Sequence, residues 1–293
     1  MKTGLLAQLN LRTATPDFVR TLARAAEDRG IHRMWLPDAH LVKFDDYSSP
    51  YPYSRSPDRK MVYELDEPDP FQALAFMSAV TNHVRLGTSI CIVPQRNPVY
   101  TAKQVTSLDQ LSQGRFDFGV GIGWSREEFA AAAVPWPHRA KRCREYIEVM
   151  TTLWRDSVSS YDGEFYTLPP CRQDPKPVQT PHPPIYFGGE SEAALRRVAD
   201  MGQGWLPFDI GPLQLAERVT ALQALLSDRG RSLAEIDIAA SPFLRDVDPP
   251  LLEGYASAGV DEVVAFVRIT AHADIEDTLD RLVETVIEPA RKL

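Results

Sequence analysis

Cysteine is scarce in this sequence and poorly placed for bonding. Cys91, Cys143 and Cys171 are odd in number, far apart and without CxxC spacing. Neither a disulfide framework nor a zinc site is implied, and a reducing, cytoplasmic compartment is the expectation. His32, His83, His138, His182 and His272 show no HxxxH or HExxH spacing, so no metal is implied. Long apolar runs are absent too. The opening stretch MKTGLLAQLNLRTATPD is interrupted by Gln8, Asn10 and Arg12, and nowhere do about 18 apolar residues run uncharged, so neither a signal peptide nor a membrane span is expected. Basic clustering is also missing: 32 Lys and Arg stand against 40 Asp and Glu, a net charge of −8, with no basic stripe. A nucleic-acid or anionic-membrane partner is therefore disfavoured, which leaves a small-molecule substrate. Finally, no lysine lies inside a predicted strand, so a Schiff-base barrel of the aldolase kind has no nucleophile.

What is present is enough apolar material for a large core, 44% hydrophobic against 25% charged, in 293 residues. Short apolar runs alternate with longer amphipathic stretches, the pattern of repeated βα units and a parallel sheet. Eight pairs can be counted. The strands are Leu5 to Leu11, Met34 to Pro37, Val84 to Val93, Arg115 to Gly121, Ile185 to Gly188, Gly204 to Phe208, Ile236 to Ser241 and Glu262 to Val267. The helices run from Pro16, Pro70, Pro98, Arg139, Glu192, Pro212, Pro249 and Ile275, the last of them to Arg291. Thr15 before Pro16 gives an N-cap followed by proline at the first helical position, and Gly30 stops that helix. This pattern predicts an α/β (β/α)8 TIM barrel in one domain spanning 1–293, a little longer than the roughly 250 residues usual for that fold.

Two insertions break the rhythm, one after strand 2 and one before strand 5. His40 to Asp69 contains YSSPYPYSRSPDRK and Arg155 to Pro184 contains PPCRQDPKPVQTPHPP, both too rich in Pro, Asp and Ser for regular elements. Loops that follow barrel strands lie on the catalytic face, so the first insertion is a candidate lid with Tyr51 and Tyr53 as covering residues. The second begins on the opposite face and is expected to return as a structural hairpin around GEFYTL.

Three motifs bear on chemistry. In PPIYFGGESEAALRR a strand ends in Gly188 and Gly189 and a helix opens with Glu190, Ser191 and Glu192. Paired glycines let a phosphate approach the backbone, and free N–H groups at a helix start bind it, here with the Ser191 hydroxyl. The plainer alternative is a tight turn capped by Ser191. GVGIGW, Gly119 to Trp124, fails as a dinucleotide fingerprint because Trp124 replaces the third glycine. Gly121 and Gly123 at a strand mouth leave room for a flat ring, or else serve only tight packing. Asp38 and His40 end the second strand, where a barrel displays catalytic groups, and His moves protons near neutral pH. Which of the two faces the pocket stays open.

The segments Arg85 to Phe129, with its NPV opening and LSQGR turn, and Pro175 to Pro207, with its GG-x-S helix opening, resemble the bacterial-luciferase-like family over nearly the whole chain. WLPDAHLVKFDDYSSPYPYS resembles a deazaflavin-associated branch of it. The resemblance implies a flavin or deazaflavin oxidoreductase, coenzyme F420-dependent, with an FMN-dependent monooxygenase fed by a separate flavin reductase as the alternative. A separate F420 reductase and a homodimer are further implications. It also implies a non-prolyl cis peptide at Ser89-Ile90 beneath the ring, with Gly121, Gly123 and Trp124 beside the ring and Gly188, Gly189, Glu190 and Ser191 at the phosphate. Where bacterial luciferases carry a cysteine and an arginine, this chain has Gly121 and Ile122, so a luciferase-type grip on the FMN phosphate is not expected.

Overall fold

The computed structural model describes residues 1–10, 12–38, 41–45, 47–54 and 67–293. Eight parallel strands close on themselves: β1 (Lys2–Ala7), β2 (Arg33–Leu36), β3 (Arg85–Thr88), β5 (Phe116–Gly121), β8 (Ile185–Gly188), β9 (Gly204–Leu206), β10 (Asp237–Ala240) and β11 (Glu262–Val267). Each pairs with its neighbour in that order, β11 returning to β1, while β3 meets β5 through Leu86 opposite Phe116. The outer ring is α1 (Pro16–Asp28), α2 (Pro70–Ser78), α3 (Pro98–Leu111), α5 (Arg139–Arg155), α6 (Glu192–Met201), α7 (Pro212–Ser227), α8 (Pro249–Ser257) and α9 (Ile275–Leu282). The punctuation legible in the sequence is used as expected. The Thr15, Asp69, Asn97, Ser191 and Asp248 side chains each accept an N–H of the helix they open, four of these helices having proline next.

Four departures from the expected boundaries have local causes. The first strand begins at Lys2 and ends at Ala7, because the chain turns at Asn10, whose carbonyl accepts the Thr13 and Ala14 amides. The third breaks at a cis Ser89-Ile90 peptide, after which β4 (Cys91–Ile92) continues against β5. A short helix α4 (Arg126–Ala131) follows β5; its Ser125 cap accepts the Glu128 amide, a Ser-x-x-Glu signature the sequence reading passed over. The last helix widens to a π turn over Val283–Ile287 before α10 (Glu288–Ala290), where Pro289 has no N–H to offer a regular turn. The second insertion folds as the expected hairpin, β6 (Ser159–Asp162) against β7 (Thr167–Cys171).

The barrel lumen is a packed core. Leu6, Trp35, Tyr186, Leu206, Ala239 and Val264 point inward and are buried, with Ile90, Phe208 and Phe266 packed above them. At the strands' N-terminal ends lies an ionic floor. The buried Arg33 guanidinium stands 2.8 Å from Asp117, 3.0 Å from Asp237 and 3.3 Å from Glu262, and donates to the Tyr186 hydroxyl at 2.9 Å. Trp35 and Tyr186 rings flank it, each 4.9 Å away. Such a cluster survives burial only because nearly every charge has an opposite partner. The chemistry of the molecule lies at the other end.

Candidate active site

The C-terminal ends of the strands surround a cavity of about 890 Å³. A volume of that order is at the upper end of what small-molecule sites use. Asp38, Ser89, Ile90, Gly121, Gly123, Trp124, Gly188, Gly189, Glu190, Ser191, Tyr51 and Tyr53 all line it, so residues far apart in the sequence meet in one place. His40 lies outside the described residues.

The floor of the cavity is Ile90. A Cβ placed on Gly121 would overlap the Ile90 side chain, and one on Gly188 would come within 2.8 Å of it. These glycines therefore make room for an isoleucine laid across the barrel axis, and a flat ligand would rest on that isoleucine. Gly189 answers to a different need: its φ of +97° is a conformation that side-chain-bearing residues avoid. Its carbonyl accepts the Trp205 indole N–H at 2.9 Å, which fixes the turn into α6. The Ser191 oxygen accepts the Ala194 amide at 3.2 Å, so the serine is a helix cap, and its hydroxyl proton is left to donate elsewhere.

Beside this helix start stand three residues that the sequence reading missed, Arg126, Arg139 and Arg197, all lining the cavity. Arg139 stacks on the Trp136 ring at 3.7 Å and donates to the Gly123 carbonyl. Burial lowers its pKa, and so does the repulsion of Arg126 and Arg197, which places the three in mutual electrostatic reach. Burial also lowers that of Arg197. Among the described residues no carboxylate lies within salt-bridge distance of any of the three. Three guanidinium groups that share one cavity with the start of α6, with no carboxylate partner among the described residues, make a corner suited to an anion. Nothing in their spacing announces it, because they belong to three different helices.

Asp38 is committed elsewhere. Its carboxylate accepts Arg96 at 2.8 and 3.2 Å and the Ile92 amide at 3.1 Å, and Arg96 also reaches Asp69 at the cap of α2. The aspartate thus ties the end of β2 to the chain just past the cis peptide. It lines the cavity with its carboxylate held in this ion pair.

The opposite wall is aromatic. From the lid, Tyr51 packs edge-on to Trp124 at 5.1 Å and to Tyr53 at 5.9 Å. Tyr53 meets Phe208 at 4.8 Å, Phe208 meets Phe243 at 4.6 Å, and Phe243 meets Phe266 at 5.3 Å. The first insertion is fastened to α4: the Glu127 carboxylate accepts the Ser48 amide and hydroxyl and the Ser49 amide, and the Ser49 hydroxyl accepts the Arg126 amide. Although burial opposes it, these bonds hold the Glu127 carboxyl below the usual range. Glu190 closes the wall, its carboxylate accepting the Phe208 amide at 2.7 Å and facing the Tyr53 hydroxyl at 3.5 Å. Burial raises the pKa of both groups; Glu190 raises that of Tyr53 further, while the Tyr53 hydroxyl lowers that of Glu190 in part.

The chain that builds this cavity is similar to known proteins in sequence and in fold. An uncharacterized protein of Mycobacterium tuberculosis is 32% identical over 273 residues, 90% of this chain and 91% of that one. The FMNH(2)-dependent dimethylsulfone monooxygenase of Pseudomonas putida is 37% identical over 173 residues, covering 58% of this chain and 46% of that protein. In solved structures, the coenzyme F420-dependent tetrahydromethanopterin reductase of Methanopyrus kandleri superposes with a TM-score of 0.74 at 18% identity, covering 98% of this chain and 99% of that one, a likeness of fold. Among the described residues no helix is long and apolar enough to cross a membrane. The sequence profile of the luciferase-like monooxygenase family matches residues 2–245, and the chain belongs to that family of oxidoreductase and monooxygenase enzymes.

Proposed function

We propose that the protein is a coenzyme F420-dependent oxidoreductase, exchanging a hydride between the deazaflavin and a small organic substrate. The observation that carries this reading is the corner of Arg126, Arg139 and Arg197 beside the start of α6. FMN ends in one phosphate, whereas the F420 side chain continues past its phosphate into carboxylates, and three cations without carboxylate partners suit the longer anionic tail. When bound, the deazaflavin supplies a carbon centre that gives or takes hydride. The residues of this chain would do the rest. Ile90 supports one face of the ring, Gly121 and Gly188 keep that floor flat, and the Ser191 hydroxyl and the open α6 amides meet the phosphate. Tyr51, Tyr53 and Trp124 cover the substrate and exclude water.

A second reading rests on a specific observation. The Pseudomonas putida relative, 37% identical over 173 residues, is FMNH(2)-dependent, and an FMN-dependent monooxygenase supplied by a partner reductase would use the same floor and corner. Equilibrium titration of the purified protein with F420 and with FMN separates the two. F420 should bind more tightly, by a margin that shrinks as salt is added, since screening weakens the extra ion pairs. A tenfold preference for FMN, about 1.4 kcal/mol, would replace the first reading by the second.

A further inference from the structure

A Glu190 carboxylate beside a corner suited to anions would oppose an anionic cofactor tail. Its surroundings suit a different role. One oxygen is held by the Phe208 amide at 2.7 Å, the other faces the Tyr53 hydroxyl at 3.5 Å, and the residue lines the cavity beside Phe208, Phe243 and Phe266. We propose that Glu190 is the proton-donating carboxyl of this site, serving a planar aromatic substrate whose carbonyl oxygen it addresses from the aromatic wall.

The inference rests on the hydride-transfer reading. In the reducing direction the bound cofactor would supply the hydride that the carbonyl carbon gains, and Glu190 would give its proton to the carbonyl oxygen. The carboxylate left behind is held by the Phe208 N–H and the Tyr53 O–H until it takes a proton from solvent, and in the oxidising direction each transfer reverses. The wall supplies the shape for this substrate: rings from Tyr53 to Phe266 stand in an unbroken series with centroids 4.6 to 5.3 Å apart. Proton supply follows from charge and burial. Burial favours the neutral carboxyl, and Asp209, 3.6 Å from Arg245, adds to it, while the Phe208 amide and Tyr53 hydroxyl favour the carboxylate. The net effect is a raised pKa. Arg126, Arg139 and Arg197 share the cavity. Below its titration Glu190 is therefore a donor, and it ceases to be one as pH rises through it.

The test uses the full chain and 1,4-naphthoquinone as a probe of planar carbonyl chemistry, with binding followed by quenching of tryptophan emission. Wild type should bind the probe, and bind it more weakly as pH rises. Glu190→Gln, whose amide donates at every pH, should bind it without that pH dependence. Tyr53→Phe, which takes a donor from the carboxylate, should move the transition to higher pH. With reduced F420 present, Glu190→Gln should lower kcat about 100-fold while KM for the probe and Kd for the cofactor change less than about threefold. No binding of the probe, a pH response that persists in Glu190→Gln, or a loss confined to KM would each overturn the proposal. Failure of the cofactor reading looks different: the probe would still bind with the Glu190-dependent pH response, and F420 would not bind.

Discussion

Replacing Arg33 by Met tests how the barrel is held together. The guanidinium is 3% exposed and faces Asp117, Asp237 and Glu262 at 2.8, 3.0 and 3.3 Å, of which Asp117 and Glu262 are themselves 1% and 0% exposed. Methionine fills similar space and removes only the charge and its donors. Asp237 and Glu262 then lose their buried cation, while Asp117 keeps Arg85 at 2.6 Å, and breaking a buried ion pair from one side costs about 3 to 5 kcal/mol. The pH dependence gives the cause away. In the wild type, burial opposes but Arg33 and Tyr186 lower the Asp237 pKa, so that its contribution is lost as pH falls. Burial raises Glu262 to about 7, so its contribution is present below the unfolded value and lost as pH rises through about 7. Without Arg33 both Asp237 and Glu262 move upward, so each contributes more in acid than in base. The deficit of Arg33→Met should accordingly be largest near about pH 8 and shrink by about 1 kcal/mol or more near about pH 5.5. Urea unfolding followed by circular dichroism at both pH values measures it. A loss below about 1 kcal/mol, or one that grows in acid, would refute the reasoning, because exposed or self-compensating charges behave that way. Adding Asp237→Asn and Glu262→Gln should restore part of the loss.

Three further outcomes concern the site. Ser191→Ala should cost about 1 kcal/mol of stability through the lost cap and weaken F420 roughly tenfold or more through the lost donor, read by melting without cofactor and titration with it. Unchanged affinity would reduce Ser191 to a cap. Gly189→Val meets a φ of +97° and should weaken the cofactor severely by distorting the turn, as binding at equal folded fraction would report. Arg197→Gln should raise the Kd for F420 and flatten its salt dependence, whereas an unchanged salt slope would remove Arg197 from the anion corner.

The barrel was legible because its rules are local. Proline and cap residues opened the helices, the apolar runs FDFGVG and EVVAFV marked buried strands, and both insertions fell where Pro and Ser clustered. Glycines near strand ends pointed to the cavity as well, although the structure assigns Gly121 and Gly188 to accommodating Ile90, a neighbour through space that no spacing reveals. The arginine corner was illegible for the same reason. Arg126, Arg139 and Arg197 reach one cavity only because α4, α5 and α6 follow strands whose ends surround it. Asp38 looked catalytic by position, and Arg96, 58 residues away, claims its carboxylate.

The ionic floor and the cavity sit at opposite mouths of one barrel, and this separation bears on how variants would be sorted. A thermal screen of random substitutions would flag changes at Arg33, Asp117 or Glu262 and pass over changes in the arginine corner, whose losses appear only when a ligand is present. The same separation lets the loops at the cavity end drift toward new substrates while the floor keeps the chain folded, so inheritance of the scaffold and invention of chemistry can proceed on different residues.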